Sequence, residues 1–480
     1  MSKSIVSQTK KGLLYSSTSI IVKNILQLFS IGILSRLLTP LDFGIFSILM
    51  VINGFTQMFS EMGLTASIIQ KKELSHSEIS SANIFSILMG LGFTIIVFLV
   101  SPLLEQLFNT DNLAYYIKIC SIVFFIKSAS IIHEALLRKD MRFKALTYIE
   151  LITFIFGNFL VALTLAYLGF GVMSIIYSLL AQTLISSMLT IALSKFRFSF
   201  TYNWQEVKRL LNFGIPFTLG RFSMYLANQG DYLVVGKFLG PVSLGYYNRS
   251  FQLMRTPVEF LGGTLSKVLF PAFSKIKDKK PALKKVFLDS VFINALFSLP
   301  LTCFLFLEAD SVIRIILGEK WGDSVAPFKI LVLSLFFRIG YKFIDPLINV
   351  TGRPGYKAKF QFLYCILIIC GAYIGTKFGI TSVALLVSVA VIVHYILMNV
   401  IVFDELSINI KELIPEIKHA VIISVTFIVL IIAFKFFIQI NNPYTEVIVS
   451  LVILFILYGV SLLLFKPVFD RKILWLFKKK

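Results

Sequence analysis

The sequence has little charge, and its few cysteines and histidines are scattered. Asp, Glu, Lys and Arg make up 15% of the 480 residues, against about 25% in typical soluble domains. The four cysteines lie singly in apolar runs, and the four histidines show no metal-ligand spacing. These absences predict a chain without a metal site and without catalytic chemistry based on cysteine or histidine.

Two further signals are missing. The sequence shows no Gly-rich phosphate-binding motif, so it predicts no ATP site and no cofactor. The stretch from Met1 to Lys11 is polar, and the apolar run after it is long and lacks a cleavage site, so no signal peptide is predicted.

Apolar residues are abundant instead. They make up 57% of the chain, with 48 phenylalanines and a mean hydropathy of +0.85. A soluble fold could not hide this much apolar surface, whereas a bilayer can accept it. Taking about 20 residues per spanning helix, the sequence predicts an all-α integral membrane protein. Its fourteen predicted spans are 12–37, 41–62, 79–107, 112–136, 145–169, 171–193, 207–230, 241–271, 283–307, 325–350, 356–376, 380–403, 414–438 and 445–466.

The positive charges test this topology. With the N-terminus in the cytoplasm, the inner segments hold thirty of the 46 Lys and Arg residues and the outer segments hold five. Such a bias is typical of cytoplasmic loops, so both termini are predicted to be cytoplasmic. The net charge of +21 is then explained by topology and by attraction to anionic lipid headgroups, and we expect no nucleic-acid partner.

Two segments repeat at a constant offset of 201 residues. Ser35–Phe46 joins spans 1 and 2, and Gly236–Tyr247 joins spans 7 and 8. A cation, Leu, Pro, Gly and an aromatic residue recur in register between them. Because six spans separate the copies, the two halves have the same topology. The predicted units are an N-lobe (1–200), a C-lobe (201–404) and a C-terminal pair of helices with a basic cytoplasmic tail (405–480).

The first repeat also predicts a helix start. Thr39 can accept a hydrogen bond as an N-cap, Pro40 suits the first helical position, and Asp42 completes a capping box.

These motifs resemble a known family. The segment Leu34–Phe46, followed by Met62–Gln70, is similar to the Wzx-type polysaccharide transporters of the multidrug/oligosaccharidyl-lipid/polysaccharide exporter superfamily, in particular the subgroup of colanic or teichuronic acid exporters. The family's turn usually carries Gly-Pro-Glu, where this chain has Thr39-Pro40-Leu41. The resemblance covers nearly the whole chain.

The resemblance implies two six-helix lobes around a central cavity and transport by alternating access. The implied substrate is an oligosaccharide repeat unit on undecaprenyl pyrophosphate, flipped across the bacterial inner membrane. A polysaccharide polymerase and chain-length machinery are the protein partners that we expect from it.

Polar side chains form stripes on spans 1, 2, 7, 8 and 10. Polar residues inside a span usually face a bundle interior or a wet cavity, and helical spacing puts each stripe on one face. The residues predicted to line a substrate cavity are Lys23, Gln27, Asn53, Gln57, Arg221, Tyr225, Asn228, Arg249, Gln252 and Arg255. Their cations are expected to attract pyrophosphate or acidic sugars.

Some of these charged residues can also be explained by structural roles, without a substrate. Arg255 and Glu259 are four residues apart and can simply pair, as can Lys342 and Asp345 at a spacing of three. Arg36 and Lys237, at the outer ends of spans 1 and 7, are predicted either to help close an outer gate or to anchor the helices at the interface.

Other functions were weighed against export of lipid-linked glycan. A cation-coupled multidrug exporter of the same fold should carry buried carboxylates, and span 1 has none. A membrane glycan polymerase or ligase usually needs a long outer catalytic loop, whereas the longest outer connection is about residues 308–324. A lipid II flippase of the same fold stays open as an alternative.

Overall fold

The computed structural model describes residues 26–263, 278–351, 354–438 and 442–464, together with Leu269, Phe273 and Ile276. Within these ranges all regular elements are helices. Ten of the helices are long and apolar enough to cross a membrane, and an eleventh span forms if one bent pair is counted as a single crossing. The predicted class, an all-α multi-pass membrane protein, is therefore confirmed.

The described chain divides into two compact units, with the boundary between Asn248 and Arg249. The helices of the first unit are α1 (Leu26–Leu37), α2 (Pro40–Glu61), α3 (Leu64–Gln70), α4 (His76–Phe108), α5 (Leu113–Lys139), α6 (Phe143–Tyr167, with a π-helical stretch at Ile155–Ala162), α7 (Val172–Leu193) and most of α8 (Trp204–Pro257).

The second unit starts within α8 and a π-helical turn, Val258–Gly262. It continues with α9 (Lys280–Leu307), α10 (Ala309–Ile316), a 3-10 turn (Glu319–Ser324), α11 (Val325–Leu333), α12 (Leu335–Thr351), α13 (Pro354–Thr376), α14 (Ile380–Leu406), a second 3-10 turn (Ile410–Leu413), α15 (Ile414–Phe437) and α16 (Pro443–Leu464).

Predicted span 7 and the first part of predicted span 8 lie in the 54-residue helix α8, which is interrupted at Gly240. This residue has φ 82° and ψ 173°, a conformation that is open to glycine and strained for residues with a β-carbon. The glycine therefore lets the chain turn between the two spans without an intervening loop.

Helix α2 begins as the sequence predicts. Thr39 has extended backbone angles, and its hydroxyl accepts a hydrogen bond from the Asp42 amide at 3.3 Å. The Asp42 carboxylate in turn accepts a hydrogen bond from the Thr39 amide at 2.8 Å. This reciprocal capping box fixes the direction in which α2 leaves its turn.

The paired helices α4 and α5 pack through small and hydroxyl residues. A β-carbon on Gly90 would lie 2.1 Å from the Ser128 hydroxyl oxygen. The Ser86 hydroxyl donates to the Ser128 carbonyl at 3.0 Å, and the Thr94 hydroxyl donates to the Ser121 carbonyl at 3.1 Å. Small residues let helix backbones approach closely where lipid gives no hydrophobic driving force for association.

Ion pairs around the buried Glu308 carboxylate hold the last two helices in place within the second unit. The Lys435 ammonium of α15 lies 3.0 Å from the Glu308 carboxylate and 2.7 Å from that of Glu446 on α16. Ser450 donates a further hydrogen bond to Glu308 at 2.8 Å. Burial raises the pKa of the Glu308 carboxyl, and the nearby Lys435 ammonium acts in the opposite direction. Since removing one partner leaves a buried charge uncompensated, this cluster fixes the position of both helices.

Two glycines on α4 provide a matched test of the packing. We expect Gly90→Ala to lower the free energy of unfolding by about 1–3 kcal/mol, because the new methyl group overpacks the α4–α5 contact. Gly92→Ala should be neutral or stabilising by up to about 1 kcal/mol, since no atom lies within 4 Å of its added β-carbon and alanine favours helix. The measurement is the unfolding midpoint of the purified protein in detergent, and equal midpoints for the two variants would contradict the contact.

Candidate functional site

The polar stripes of α2 and of the first half of α8 meet inside the first unit. The side-chain amide of Gln57 donates to the Glu61 carboxylate at 2.9 Å. The other carboxylate oxygen of Glu61 lies 4.0 Å from the Arg221 guanidinium, whose side chain is 58% exposed. Two of the predicted cavity residues, Gln57 and Arg221, are therefore brought together around an acidic residue.

Tyr225 ties the same two helices together one turn farther along α8. Its hydroxyl donates to the Val51 carbonyl at 2.6 Å, and its ring lies against Gly54, where an added β-carbon would be 2.6 Å from the phenolic oxygen. Tyr225 is thus in part a structural contact between α2 and α8, a role that the sequence did not indicate.

An aromatic cluster flanks the polar contact. The rings of Phe55 and Phe59 have centroids 4.9 Å apart, and Phe222 lies edge-on to both at 5.8 and 5.6 Å. Edge-to-face contacts of this kind are favourable beyond the area that they bury. One side of the α2–α8 contact is therefore apolar and the other is charged.

A second charged group in the first unit lies on α5. The Glu134 carboxylate accepts from Lys127 at 2.7 Å and from Arg138 at 2.7 Å. The neighbouring His133 ring nitrogen lies 2.6 Å from the Ser194 hydroxyl. Both His133 and Glu134 are therefore in contact with polar side chains.

The second unit contains Arg249 and Gln252. Arg249 is only 5% exposed, and its guanidinium donates to the Gln252 side-chain carbonyl. Helix α12 adds another arginine, Arg338, which donates to Ser334 at 2.9 Å and lies 5.0 Å from the ring of Phe251. Two arginines on two helices therefore give this unit a concentration of positive charge.

Arg255 forms the pair that the structural explanation predicted. Its guanidinium lies 3.2 Å from Glu259. The proposed pairing of Lys342 with Asp345 is wrong, because Lys342 contacts Glu259 at 3.5 Å and Asp345 is paired with Lys357 at 2.5 Å. Glu259 therefore neutralises part of the charge of both Arg255 and Lys342.

The remaining predicted residues have varied surroundings. Asn53 is buried at 8% exposure, Asn228 is exposed and donates to the Met224 carbonyl, and Gln27 is half-buried. Arg36 and Lys237 are both exposed at helix ends. Lys23 lies outside the described residues.

Sequence inspection missed Glu61. The signal was present, since Glu61 follows Gln57 by four residues and so extends the polar stripe of α2. Within the described ranges, no group of three or more His, Cys, Asp or Glu side chains could hold a metal ion.

Known proteins are similar to this chain in sequence and in fold. It is 26% identical to the lipopolysaccharide biosynthesis protein WzxC of Escherichia coli, covering 80% of each chain. It is 25% identical to the teichuronic acid biosynthesis protein TuaB of Bacillus subtilis, covering 70% of each chain. The structure superposes on the lipid II flippase MurJ in its inward closed conformation with a TM-score of 0.78 and 16% identity, covering 96% of this chain and 99% of the other.

These relatives confirm the resemblance to Wzx-type transporters and the prediction of a transporter in place of an enzyme. Residues 33–326 match the family described as polysaccharide biosynthesis protein. Because this match covers more than half of the sequence, the chain belongs to that family.

Proposed function

We propose that the protein flips undecaprenyl-pyrophosphate-linked oligosaccharide repeat units across the bacterial inner membrane by alternating access. The observation that carries the proposal is the cationic character of the polar stripes, with Arg221 on α8 in the first unit and Arg249 buried in the second. A charge inside a span is costly and usually marks a substrate path.

The chemistry of the headgroup fits these arginines. A guanidinium offers several donors in one plane and binds phosphate oxygens in pairs. Arg221 is more than half exposed, and its 4.0 Å contact with Glu61 is long for an ion pair. Most of its donors are therefore available to a pyrophosphate, while Glu61 and Gln57 orient the side chain.

The finer architecture belongs to the same proposal. It comprises fourteen spans, two six-helix lobes (1–200 and 201–404), cytoplasmic termini and a polymerase with chain-length machinery as partners. The internal repeat and the positive-inside charge bias support it. The hydrocarbon tail of the substrate would stay in the bilayer while the headgroup crosses.

Glu61 bears on the multidrug-exporter alternative. A membrane-embedded carboxylate on α2 is the kind of group that would attract a cationic drug. Here the carboxylate accepts from Gln57 and faces Arg221, so its negative charge is offset and is less able to attract a cation. This pairing favours an anionic headgroup over a cationic drug.

Loss of a buried arginine should strongly reduce export. In cells lacking the gene, we expect the wild type to restore surface glycan and Arg249→Ala to lower it by about tenfold or more, since hydrogen bonds to a charged group contribute about 1.5–3 kcal/mol each. The matched control is Arg314→Ala, because Arg314 is 52% exposed and pairs with Asp310 on the short helix α10. Surface glycan, lipid-linked repeat units on the inner leaflet and membrane levels of each variant are measured. A change in drug susceptibility with unchanged surface glycan would contradict the proposal.

Glu61 competes with the headgroup for Arg221. We expect Glu61→Gln to tighten binding of undecaprenyl pyrophosphate to the purified protein by about three- to tenfold, because the guanidinium loses its carboxylate partner. The gain should vanish in the double variant Glu61→Gln/Arg221→Ala. Equilibrium binding in detergent is the measurement, and unchanged or weaker binding in the single variant would show that Glu61 does not hold Arg221 away from anions.

The proposed topology can be tested at two exposed phenylalanines. Phe378 is 75% exposed in a predicted outer connection, and Phe200 is 89% exposed in a predicted inner one. In protein lacking its four native cysteines, a membrane-impermeant maleimide added to intact cells should label Phe378→Cys and spare Phe200→Cys. The opposite pattern would invert the proposed orientation.

A further inference from the structure

Helices α2 and α8 touch backbone to backbone at the predicted outer side. A β-carbon on Gly44 would lie 1.7 Å from the Pro241 carbonyl oxygen, and one on Gly245 would lie 1.9 Å from the Pro40 carbonyl oxygen. Such separations leave no room for any side-chain atom. Only glycine at both positions permits this contact.

The contact is reciprocal. Gly245 follows Gly44 by 201 residues, and Pro241 follows Pro40 by the same offset. The glycine of each repeat copy therefore packs on the proline of the other copy. Two copies of one turn that contact each other in this way lie around a local pseudo-twofold axis, so the repeated motif is itself the contact surface.

A second glycine contact closes the opposite end of α2. A β-carbon on Gly63 would lie 2.2 Å from the Gly214 carbonyl oxygen, and one on Gly214 would lie 2.3 Å from the Met62 carbonyl oxygen. Next to it, the Ser67 hydroxyl donates to the Leu210 carbonyl at 2.7 Å. The predicted inner ends of α2 and α8 are thus also in backbone contact.

Both ends of α2 are therefore closed against α8 in this structure, with Gln57, Glu61 and Arg221 between them. A transporter that works by alternating access must open one end while the other stays closed. Backbone contacts at glycine suit such a step, because two flat surfaces can part and meet again without rearranging side chains.

We propose that these contacts are the two gates of the transport cycle. Gly44 and Gly245 form the outer gate, and Gly63 and Gly214 form the inner gate. This inference rests on the proposed function for the direction of transport, whereas the gates themselves are a property of the fold. A methyl group at one gate prevents that gate from closing and shifts the protein toward the state open on that side.

The test uses matched Gly→Ala variants and one reporter cysteine. Gly44→Ala and Gly245→Ala change the outer gate, and Gly214→Ala changes the inner gate at a residue without positive φ. The control is Gly220→Ala, on the same helix as Gly214, because no atom lies within 4 Å of its added β-carbon. The reporter is Asn228→Cys in full-length protein without its native cysteines, since Asn228 lies on α8 between the two contacts.

The measurement is the rate at which a membrane-impermeant maleimide labels the reporter in intact cells and in inverted membrane vesicles. Both outer-gate variants should raise labelling from outside by about fivefold or more, because overpacking a closed contact destabilises the closed state. Gly214→Ala should raise labelling from the inner side and lower it from outside. Gly220→Ala should match the parent protein on both sides.

Several outcomes would overturn the gates. One is equal labelling of the reporter in all variants. Another is that the outer-gate and inner-gate variants change labelling from the same side in the same direction. A third is that Gly44→Ala and Gly245→Ala change labelling in opposite directions. The outer gate has two independent variants, so one that fails to reach the membrane leaves the other as the test. No glycolipid is needed for labelling. Opposite shifts at the two ends together with normal surface glycan in a gene deletion would therefore refute the proposed substrate and keep the gates.

Discussion

The cost of a charge inside the bilayer governs this structure. Lipid cannot solvate ions, so a charged side chain at membrane depth needs a partner or a wet surface. Glu134 on α5 satisfies this with Lys127 and Arg138. Arg221 is paired more loosely, because its side chain is 58% exposed and its carboxylate partner is 4.0 Å away. An anionic ligand would therefore gain more from contact with Arg221 than with these tightly paired cations.

The lengths of the apolar runs, the helix-capping residues and the composition made much of the fold predictable. Each predicted span overlaps a helix, and the capping box at Thr39 and Asp42 forms as expected. These features depend on residues a few positions apart, so a single sequence contains them. The exact helix ends were less predictable. Gly240 allows α8 to continue from predicted span 7 into the first part of predicted span 8, a result of backbone conformation that hydropathy does not reveal.

For the candidate site, the sequence predicted only which face of each helix is polar. Helical phase placed Gln57 and Arg221 on polar stripes, but which partner each stripe meets depends on helix packing. Lys342 illustrates the limit. Asp345, three residues along the chain, is paired with Lys357, whereas Lys342 contacts Glu259 in the π-helical turn after α8. Tyr225 is similar, since a tyrosine on a polar stripe gave no sign that its hydroxyl would bond to the backbone of α2.

The internal repeat connects these levels. At first it is a pattern of cation, Leu, Pro, Gly and aromatic residue at an offset of 201, and it supports only a duplicated architecture. In the structure its two copies contact each other, each glycine lying against the proline of the other turn. For a duplicated turn to bind its own copy, one motif must contain both of the surfaces that meet. Here each copy contains a glycine and a proline carbonyl, and the glycine of one copy packs on the carbonyl of the other.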